Sequence, residues 1–158
     1  MREAIFDILG SLVDLPGMKV ADLFAGTGAL GIEALSRGAS SVTFVDDDPE
    51  AVASIRENLV STGLDGPEAT VERRDVVSFV ENASRAGKPH FDLVLCDPPY
   101  RFGRWDDLLE ALPAELAVLE SDKELVLPER SMVLRSKRYG GTLVTVARLG
   151  DVPQGGLG

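Results

Sequence analysis

Four consecutive residues, Asp97-Pro98-Pro99-Tyr100, have the types and the order to hold a planar group that carries an N–H. They follow an apolar run, Phe91 to Cys96, that predicts a buried parallel strand. Open α/β sheets bind their ligands beyond the carboxyl ends of such strands. Because proline has a fixed φ and no N–H, the carbonyl groups of Asp97 and Pro98 stay free to accept hydrogen bonds. Taken alone, the same residues also fit a plain acidic turn that stops the strand.

A glycine-rich loop provides a second candidate for chemistry. Gly26, Gly28 and Gly31 form the pattern G-x-G-x-x-G directly after the predicted strand Lys19–Phe24. Such a loop lets the backbone approach a ligand closely and directs the N–H groups of the following helix toward it. Asp46 ends the second predicted strand about twenty residues later, where a carboxylate can hold both hydroxyls of a ribose. Loop and carboxylate together predict a cofactor that contains adenosine.

The acidic residues near the strand ends favour S-adenosylmethionine over NAD. Asp22 lies just before the loop, where a carboxylate would repel a pyrophosphate and attract the ammonium group of a methionine. Asp75 follows the third strand and could accept from an adenine amino group. Each acid could be an ordinary turn or helix cap, but four of them lie at or near the ends of four successive strands: Asp22, Asp46, Asp75 and Asp97. The remaining cofactor candidates adjoin these positions: Phe24, Asp47 and Val76.

Strands and helices alternate along the chain and would position these residues. Apolar spacing and turn residues predict helices at Arg2–Leu12, Ala29–Arg37, Asp48 to about Thr62, Val76–Arg85, and Trp105 to about Leu119 with a break allowed at Pro113. The predicted strands are Lys19–Phe24, Ser41–Val45, Ala69–Arg73, Phe91–Cys96, Lys123–Leu127, Met132–Lys137 and Thr142–Arg148. This order implies βαβ units, and the Gly140-Gly141 pair predicts a terminal hairpin. We therefore expect an α/β, Rossmann-like fold with a mostly parallel seven-stranded sheet, an antiparallel hairpin at its end and helices on both faces.

Length and composition bound the class of protein. A chain of 158 residues predicts one domain, here residues 1–150, followed by a flexible tail, residues 151–158. Its 44% hydrophobic and 27% charged residues are ordinary for a soluble globular protein. No apolar run approaches the roughly 20 residues of a membrane span, and the first residues do not form a signal-peptide pattern. We expect a cytoplasmic protein that does not associate with membranes.

The net charge of −10 argues against binding nucleic acid mainly through phosphate neutralisation. Local exceptions are Arg101 and Arg104, just after the acidic turn, and Arg130, Arg135, Lys137 and Arg138 further along. They could form a basic rim around the site, although solvated charges on loops and strand ends explain them equally well.

The remaining reactive side chains predict no additional chemistry. Cys96 lies inside an apolar strand, so we expect a buried packing thiol. His90 precedes the same strand at the end away from the ligand edge, where we expect a surface role. No group of ligands has metal-site spacing, which predicts a reaction without a metal.

The glycine loop, Asp46, Asp75 and Asp97-Pro98-Pro99-Tyr100 together resemble the S-adenosylmethionine-dependent amino methyltransferases. A more specific similarity, to the RsmD family, lies in three segments of the sequence: Met1 to Leu9, Asp22 to Ala39 and Arg138-Tyr139-Gly140. That resemblance implies a class I methyltransferase fold and transfer of a methyl group to the exocyclic N2 of a guanine in 16S ribosomal RNA, within the small ribosomal subunit, with S-adenosylhomocysteine as product. Members of that family usually begin with a basic segment of roughly thirty residues that is expected to help grip RNA, and this sequence departs from the pattern because it starts at the helix that follows such a segment. We expect a monomer.

In an enzyme of this kind, we expect Asp97 and the Pro98 carbonyl to accept hydrogen bonds from the target amine. Pro99 belongs to the same turn, and Tyr100 would stack on an unpaired or flipped base. Arg101, Arg104 and Arg138 are the candidate RNA contacts.

Three other functions remain compatible with the sequence. An adenine-N6 or protein-glutamine methyltransferase would use the same fold and a related turn. An NAD-dependent dehydrogenase is disfavoured by Asp22 and by the Asp-Pro-Pro-Tyr turn. A non-catalytic module that binds RNA or a protein partner on the same scaffold is favoured by the acidic balance of charge.

Overall fold

The computed structural model describes residues 1–86 and 91–150. Its strands are β1 (Lys19–Leu23), β2 (Ser41–Asp46), β3 (Ala69–Arg73), β4 (Phe91–Cys96), β5 (Ala114–Ser121), β6 (Met132–Tyr139) and β7 (Thr142–Arg148). Its helices are α1 (Arg2–Leu12), α2 (Ala29–Ser36), α3 (Pro49–Thr62), α4 (Val76–Ala86) and α5 (Trp105–Ala111). The strands form one sheet in the order β3-β2-β1-β4-β5-β7-β6. Strands β1 to β5 pair in parallel, and β7 is antiparallel to both of its neighbours, as the predicted fold class requires.

Helices cover both faces of the sheet. Helices α1, α2 and α3 pack on one face, where Phe6, Phe44 and Ile55 are fully buried. Helices α4 and α5 pack on the other, against a core that contains Phe79 and Leu108. Because successive side chains of a strand point to opposite faces, β1, β2, β4 and β5 each contribute to both cores. The carboxyl edge of the sheet is left for the loops that follow the strands.

The boundaries of α3 show how the sequence fixes an element. The Asp48 side chain accepts a hydrogen bond from the Glu50 N–H, Pro49 occupies the first turn, and Gly63 ends the helix with a left-handed φ of 72°. These are the capping residues that the sequence indicates at both ends of this helix.

The prediction for residues 105–127 is wrong in one respect. Helix α5 ends at Ala111, and β5 occupies Ala114–Ser121, so the expected strand at Lys123–Leu127 is instead an irregular segment. Pro113 ends the helix and its carbonyl accepts from the Phe91 N–H, which starts the pairing of β4 with β5. The sequence of β5 is rich in Ala, Leu and Glu, and a short buried run of that composition also fits a helix.

Two predictions, the tail at 151–158 and the surface role of His90, lie outside the described residues. Within the described ranges, no helix is long and apolar enough to cross a membrane.

Candidate active site

The loop after β1 is held open by residues with positive φ. Phe24 has a φ of 57°, Gly26 of 60° and Gly28 of 81°. The Gly26 N–H donates to Asp46 Oδ2 at 3.0 Å, and Asp46 Oδ1 accepts from the Asp48 N–H at 3.0 Å. Each carboxylate oxygen has a second lone pair, so Asp46 is fixed in place and can still accept from a diol.

Asp22 lies beneath this loop and not in its opening. The side chain is only 2% exposed, and Oδ2 accepts a hydrogen bond from the Gly31 N–H of α2 at 2.9 Å. Burial raises the pKa of Asp22 to about 8, against the lowering effect of the Gly31 hydrogen bond. The charges of Asp97, Glu120 and Asp46 raise it further. Asp22 therefore anchors the start of α2, and a pKa of about 8 leaves it largely uncharged at neutral pH, so the predicted attraction of its carboxylate for an ammonium group is weakened.

The raised pKa predicts an unusual pH dependence of stability. In the unfolded chain Asp22 titrates near 3.8, so between about pH 4 and pH 8 the folded state binds the additional proton. The contribution of Asp22 to the free energy of unfolding therefore falls as pH rises through this range. We expect Asp22→Asn to have about the same melting temperature as the wild type at pH 5. At pH 8 its melting temperature should be at least about 3 °C higher, with both proteins free of cofactor. Asp7→Asn, at an exposed position on α1, serves as the control, and an equal or larger gain at pH 5 would contradict this prediction.

The other predicted cofactor residues occupy the edge beyond β2 and β3. Asp75 is exposed and its Oδ2 accepts from the Ser78 N–H at 2.9 Å, so it caps α4 and keeps further lone pairs free. Asp47 is exposed. The Val76 side chain is 3% exposed and belongs to the core, so only its backbone can reach a ligand.

A depression lies beyond β4 and β5, on the side of β4 away from β1 and its glycine loop. It is an open cavity of about 200 Å³. Its lining residues come from the ends of these strands, from α5 and from the β6–β7 turn: Asp97, Pro98, Pro99, Tyr100, Trp105, Glu120, Ser121, Asp122, Gly141 and Thr142. All four residues of the acidic turn thus meet in one place, and the Tyr100 side chain is 82% exposed, free to stack on a flat ligand.

Glu120 is a cavity residue that the sequence reasoning missed. It is 7% exposed at the end of β5. Burial and then the charge of Asp97 raise the pKa of Glu120 to about 7, while the amino-terminal ammonium lowers it. Asp97 is accessible at the mouth of the cavity, yet the atoms around it displace enough water to raise the pKa of this carboxyl as well. The cavity therefore carries two carboxyl groups with raised pKa values, and the charge of Glu120 is sensitive to pH near neutrality.

Aromatic contacts connect the glycine loop to the cavity beyond β4 and β5. The Phe24 ring, in the glycine loop, packs edge-on against Phe102 with 5.1 Å between ring centroids. Phe102 in turn packs against Trp105 at 5.5 Å. This chain of rings fixes the turn after β4 relative to the loop after β1, and it explains why a non-glycine residue is held at positive φ. The sequence reasoning did not single out Phe102, since an isolated aromatic carries no motif.

The predicted RNA contacts lie outside the cavity lining. Arg101 and Arg138 are exposed, and Arg104 pairs with Asp107 at 3.1 Å. Arg138 belongs to β6, the edge strand, whose Arg135 and Lys137 are also exposed. Cys96 is 1% exposed and burial raises its thiol pKa, so it packs in the core as expected. Among the described residues, no three His, Cys, Asp or Glu side chains are placed to hold a metal ion.

Comparison with known proteins agrees with this geometry. The family model described as conserved hypothetical protein 95 matches residues 1–148. A putative rRNA methyltransferase of Bacillus subtilis, YlbH, is 34% identical over 92% of this chain and 83% of its own length. Ribosomal RNA small subunit methyltransferase D of Haemophilus influenzae is 34% identical over 75% of this chain, which spans 65% of that relative.

Solved structures share the whole fold. A putative methyltransferase of Escherichia coli, yhhF, superposes with a TM-score of 0.80 at 29% identity and covers 95% of this chain and 85% of its own. More distant structures described as S-adenosylmethionine-dependent methyltransferases have the same fold. The fold and the site define an S-adenosylmethionine-dependent methyltransferase. Within that class, the chain belongs to the conserved hypothetical protein 95 family, which is the RsmD family.

Proposed function

We propose that this protein transfers a methyl group from S-adenosylmethionine to the exocyclic N2 amine of a guanine in the 16S ribosomal RNA of the small ribosomal subunit. The observation that carries the proposal is the cavity that brings the Asp97 carboxylate, the Pro98 carbonyl and the exposed Tyr100 ring together beside the glycine loop. The names of the relatives, small subunit methyltransferase D and a putative rRNA methyltransferase, support RNA as the substrate.

The residues of the glycine loop and of the neighbouring strand ends fit the methyl donor. Asp46 is held by two backbone N–H groups and can accept from both ribose hydroxyls. Nothing lies within 4 Å of the position where Gly26 would carry a Cβ, so this backbone is open to close approach. Asp75 lies beyond the end of β3, where it can accept from an adenine amino group, and Asp22 anchors the start of α2 beneath the loop through the Gly31 N–H. S-adenosylmethionine supplies an electrophilic methyl group bound to a positively charged sulfur.

The residues of the cavity prepare the amine for attack. The lone pair of an exocyclic amine is delocalised into the purine ring, so the nitrogen must be drawn toward a tetrahedral geometry and held in line with the methyl group. Asp97 and the Pro98 carbonyl accept from the two N–H bonds, which orients the lone pair and stabilises the positive charge that develops on nitrogen. Tyr100 stacks on the base after it leaves its helix. As the C–N bond forms and the C–S bond breaks, the nitrogen retains one proton too many, and Asp97 can pass it to solvent at the cavity mouth.

The decisive experiment maps the modified base. Small ribosomal subunits that lack the modification are incubated with the protein and labelled S-adenosylmethionine, and the labelled nucleoside is identified and located by mass spectrometry. We expect N2-methylguanine at one position of the 16S rRNA. Parallel reactions with naked rRNA, DNA and protein test the alternatives. Label found in N6-methyladenine or in methylglutamine would identify a different substrate and contradict guanine N2 as the target. Cofactor binding without transfer to any substrate would indicate a non-catalytic module.

Asp46 provides a separate test of the cofactor site. Asp46→Ala removes the acceptor for the ribose and releases the Gly26 N–H, so we expect affinity for S-adenosylhomocysteine to fall about 10- to 100-fold. Isothermal titration calorimetry measures the loss. Asp65→Ala, an exposed acid beyond α3, is the control and should bind like the wild type. A change of less than about twofold in Asp46→Ala would argue against the ribose contact.

A further inference from the structure

Glu120 and Asp97 lie side by side at the carboxyl edge of the sheet. Cys96 of β4 pairs with Leu119 of β5, so the residues that follow them are also neighbours on strands about 4.8 Å apart. Cys96 and Leu119 both belong to the core beneath α4 and α5. Since side chains alternate along a strand, Asp97 and Glu120 both point to the opposite face. Both line the same cavity.

Among the described residues, no hydrogen bond or ion pair involves the Glu120 carboxylate, and Glu120 lines the open cavity although the residue is only 7% exposed. A carboxylate in the wall of such a cavity has lost part of its hydration and is free to accept a hydrogen bond from a ligand. The titratable groups that face it are Asp97 just after β4, Asp22 on β1, Asp122 in the cavity lining and the amino-terminal ammonium before α1. A ligand in the cavity that carries an N–H can therefore donate to Glu120.

A guanine carries donors in the matching arrangement. Its Watson–Crick edge presents N1–H next to the two N–H bonds of N2, whereas adenine presents an acceptor at N1 next to its amine. Enzymes that act on a flipped base read this edge through hydrogen bonds. We infer that Glu120 accepts the N1–H of the target guanine while Asp97 and Pro98 hold its N2 amine, so that the paired carboxylates select guanine. This inference rests on the proposed function and adds the residue that sets the choice of base.

The test compares two bases that differ at N1. 2-Aminopurine has the same 2-amino group as guanine but an acceptor at N1. Ligation places either base at the mapped target position of the rRNA, which is then assembled into subunits. For the wild type we expect kcat/KM to favour guanine about 100-fold, because the Glu120 carboxylate faces a lone pair in 2-aminopurine. In Glu120→Gln, whose amide can donate to N1, we expect the preference to fall at least about tenfold.

Controls separate recognition of the base from damage to the protein. Glu115→Gln lies on the same strand at an exposed position away from the cavity, and it should keep the wild-type preference. Glu120→Gln should retain the wild-type affinity for S-adenosylhomocysteine and should melt no lower than the wild type, because the raised pKa of Glu120 means that its charge does not stabilise the fold. An unchanged preference in Glu120→Gln would overturn the inference. A wild type that methylates no guanine N2 would overturn the proposed function itself, and the two failures are thus distinguishable.

The wild type offers a second measurement that needs no substitution. Because the pKa of Glu120 is raised to about 7, its carboxylate gains a proton as pH falls from 8 to 6 and can then donate to N1 of 2-aminopurine. We expect the preference for guanine to fall about tenfold over this range. Titration of Asp97 acts on the amine that both bases share and cancels in the ratio. A preference that is constant between pH 6 and pH 8 would contradict the role of Glu120.

Discussion

Asp97→Ala lowers the rate of methyl transfer by about 10²- to 10³-fold and leaves affinity for S-adenosylhomocysteine within about twofold of the wild type. The reason is the position of this carboxylate. Asp97 follows β4 and lines the cavity, one strand away from the loop and Asp46 that would hold the cofactor. Removal of its acceptor leaves the amine planar, with its lone pair delocalised into the purine ring and not directed at the methyl group. Single-turnover transfer and calorimetry on the same preparation measure the two effects.

Two further variants separate hydrogen bonding from charge. Asp97→Asn keeps one acceptor oxygen, so we expect it to recover most of the activity that Asp97→Ala loses. Glu115→Ala removes an exposed carboxylate from the neighbouring strand and should leave transfer unchanged. Loss of cofactor affinity in proportion to the loss of rate in Asp97→Ala would contradict this division of roles. Inactivity of Asp97→Asn equal to that of Asp97→Ala would instead assign proton acceptance to this residue.

The sequence predicts the architecture of the site because parallel strands bring distant residues to one edge. The positions of Asp22, Asp46, Asp75 and Asp97 at strand ends follow from apolar runs and turn residues, and the fold confirms them. The sequence does not show which way each carboxylate points. Asp22 turns beneath the loop toward the Gly31 N–H, and Asp75 caps a helix, because local N–H groups without partners compete with any ligand for these oxygens.

The sequence does not reveal Glu120, because it predicts the fifth strand too far along the chain. With a helix predicted to about Leu119 and a strand from Lys123, Glu120 would lie in a connection with no neighbouring residue across the sheet. Pro113 provided the only local signal that the helix stops before β5. Pairing of β5 with β4, a long-range contact, then places Glu120 beside Asp97. Burial at that position is a property of the tertiary structure, and a glutamate at the end of a short apolar run does not indicate it.

The distribution of charge explains how an acidic chain can carry an RNA-directed site. Acidic side chains concentrate at the carboxyl edge, where the donor's ammonium and the N–H bonds of a base require acceptors. Exposed basic residues on the edge strand β6 and beyond the Asp-Pro-Pro-Tyr turn flank that edge: Arg101, Arg104, Arg135, Lys137 and Arg138. The described residues that line the cavity include Asp97, Glu120 and Asp122 and no lysine or arginine, so basic contacts to RNA would have to come from residues outside the cavity.

Gly31→Ala lowers the free energy of unfolding by about 1–3 kcal/mol, which corresponds to a fall in melting temperature of roughly 2–12 °C for a chain of this size. Gly31 lies in α2 where the helix crosses β2. An added Cβ would collide with the Phe44 ring and lie 2.9 Å from Val42 Cγ1, both in the core. Helix α2 would have to move away from the sheet, and the Gly31 N–H that binds Asp22 would move with it. Thermal unfolding followed by circular dichroism measures the loss.

The displacement of α2 should reach the cofactor loop as well, because the loop ends where this helix begins. We expect Gly31→Ala to bind S-adenosylhomocysteine about tenfold more weakly, since the loop's N–H groups shift with α2. Gly10→Ala is the matched control: it also replaces a glycine within a helix, but nothing lies within 4 Å of its added Cβ. There the alanine should stabilise the protein by about 0.5–1 kcal/mol through its helix propensity and leave binding unchanged. If Gly31→Ala were as stable as Gly10→Ala, the close packing of α2 on β2 could not be what positions the loop.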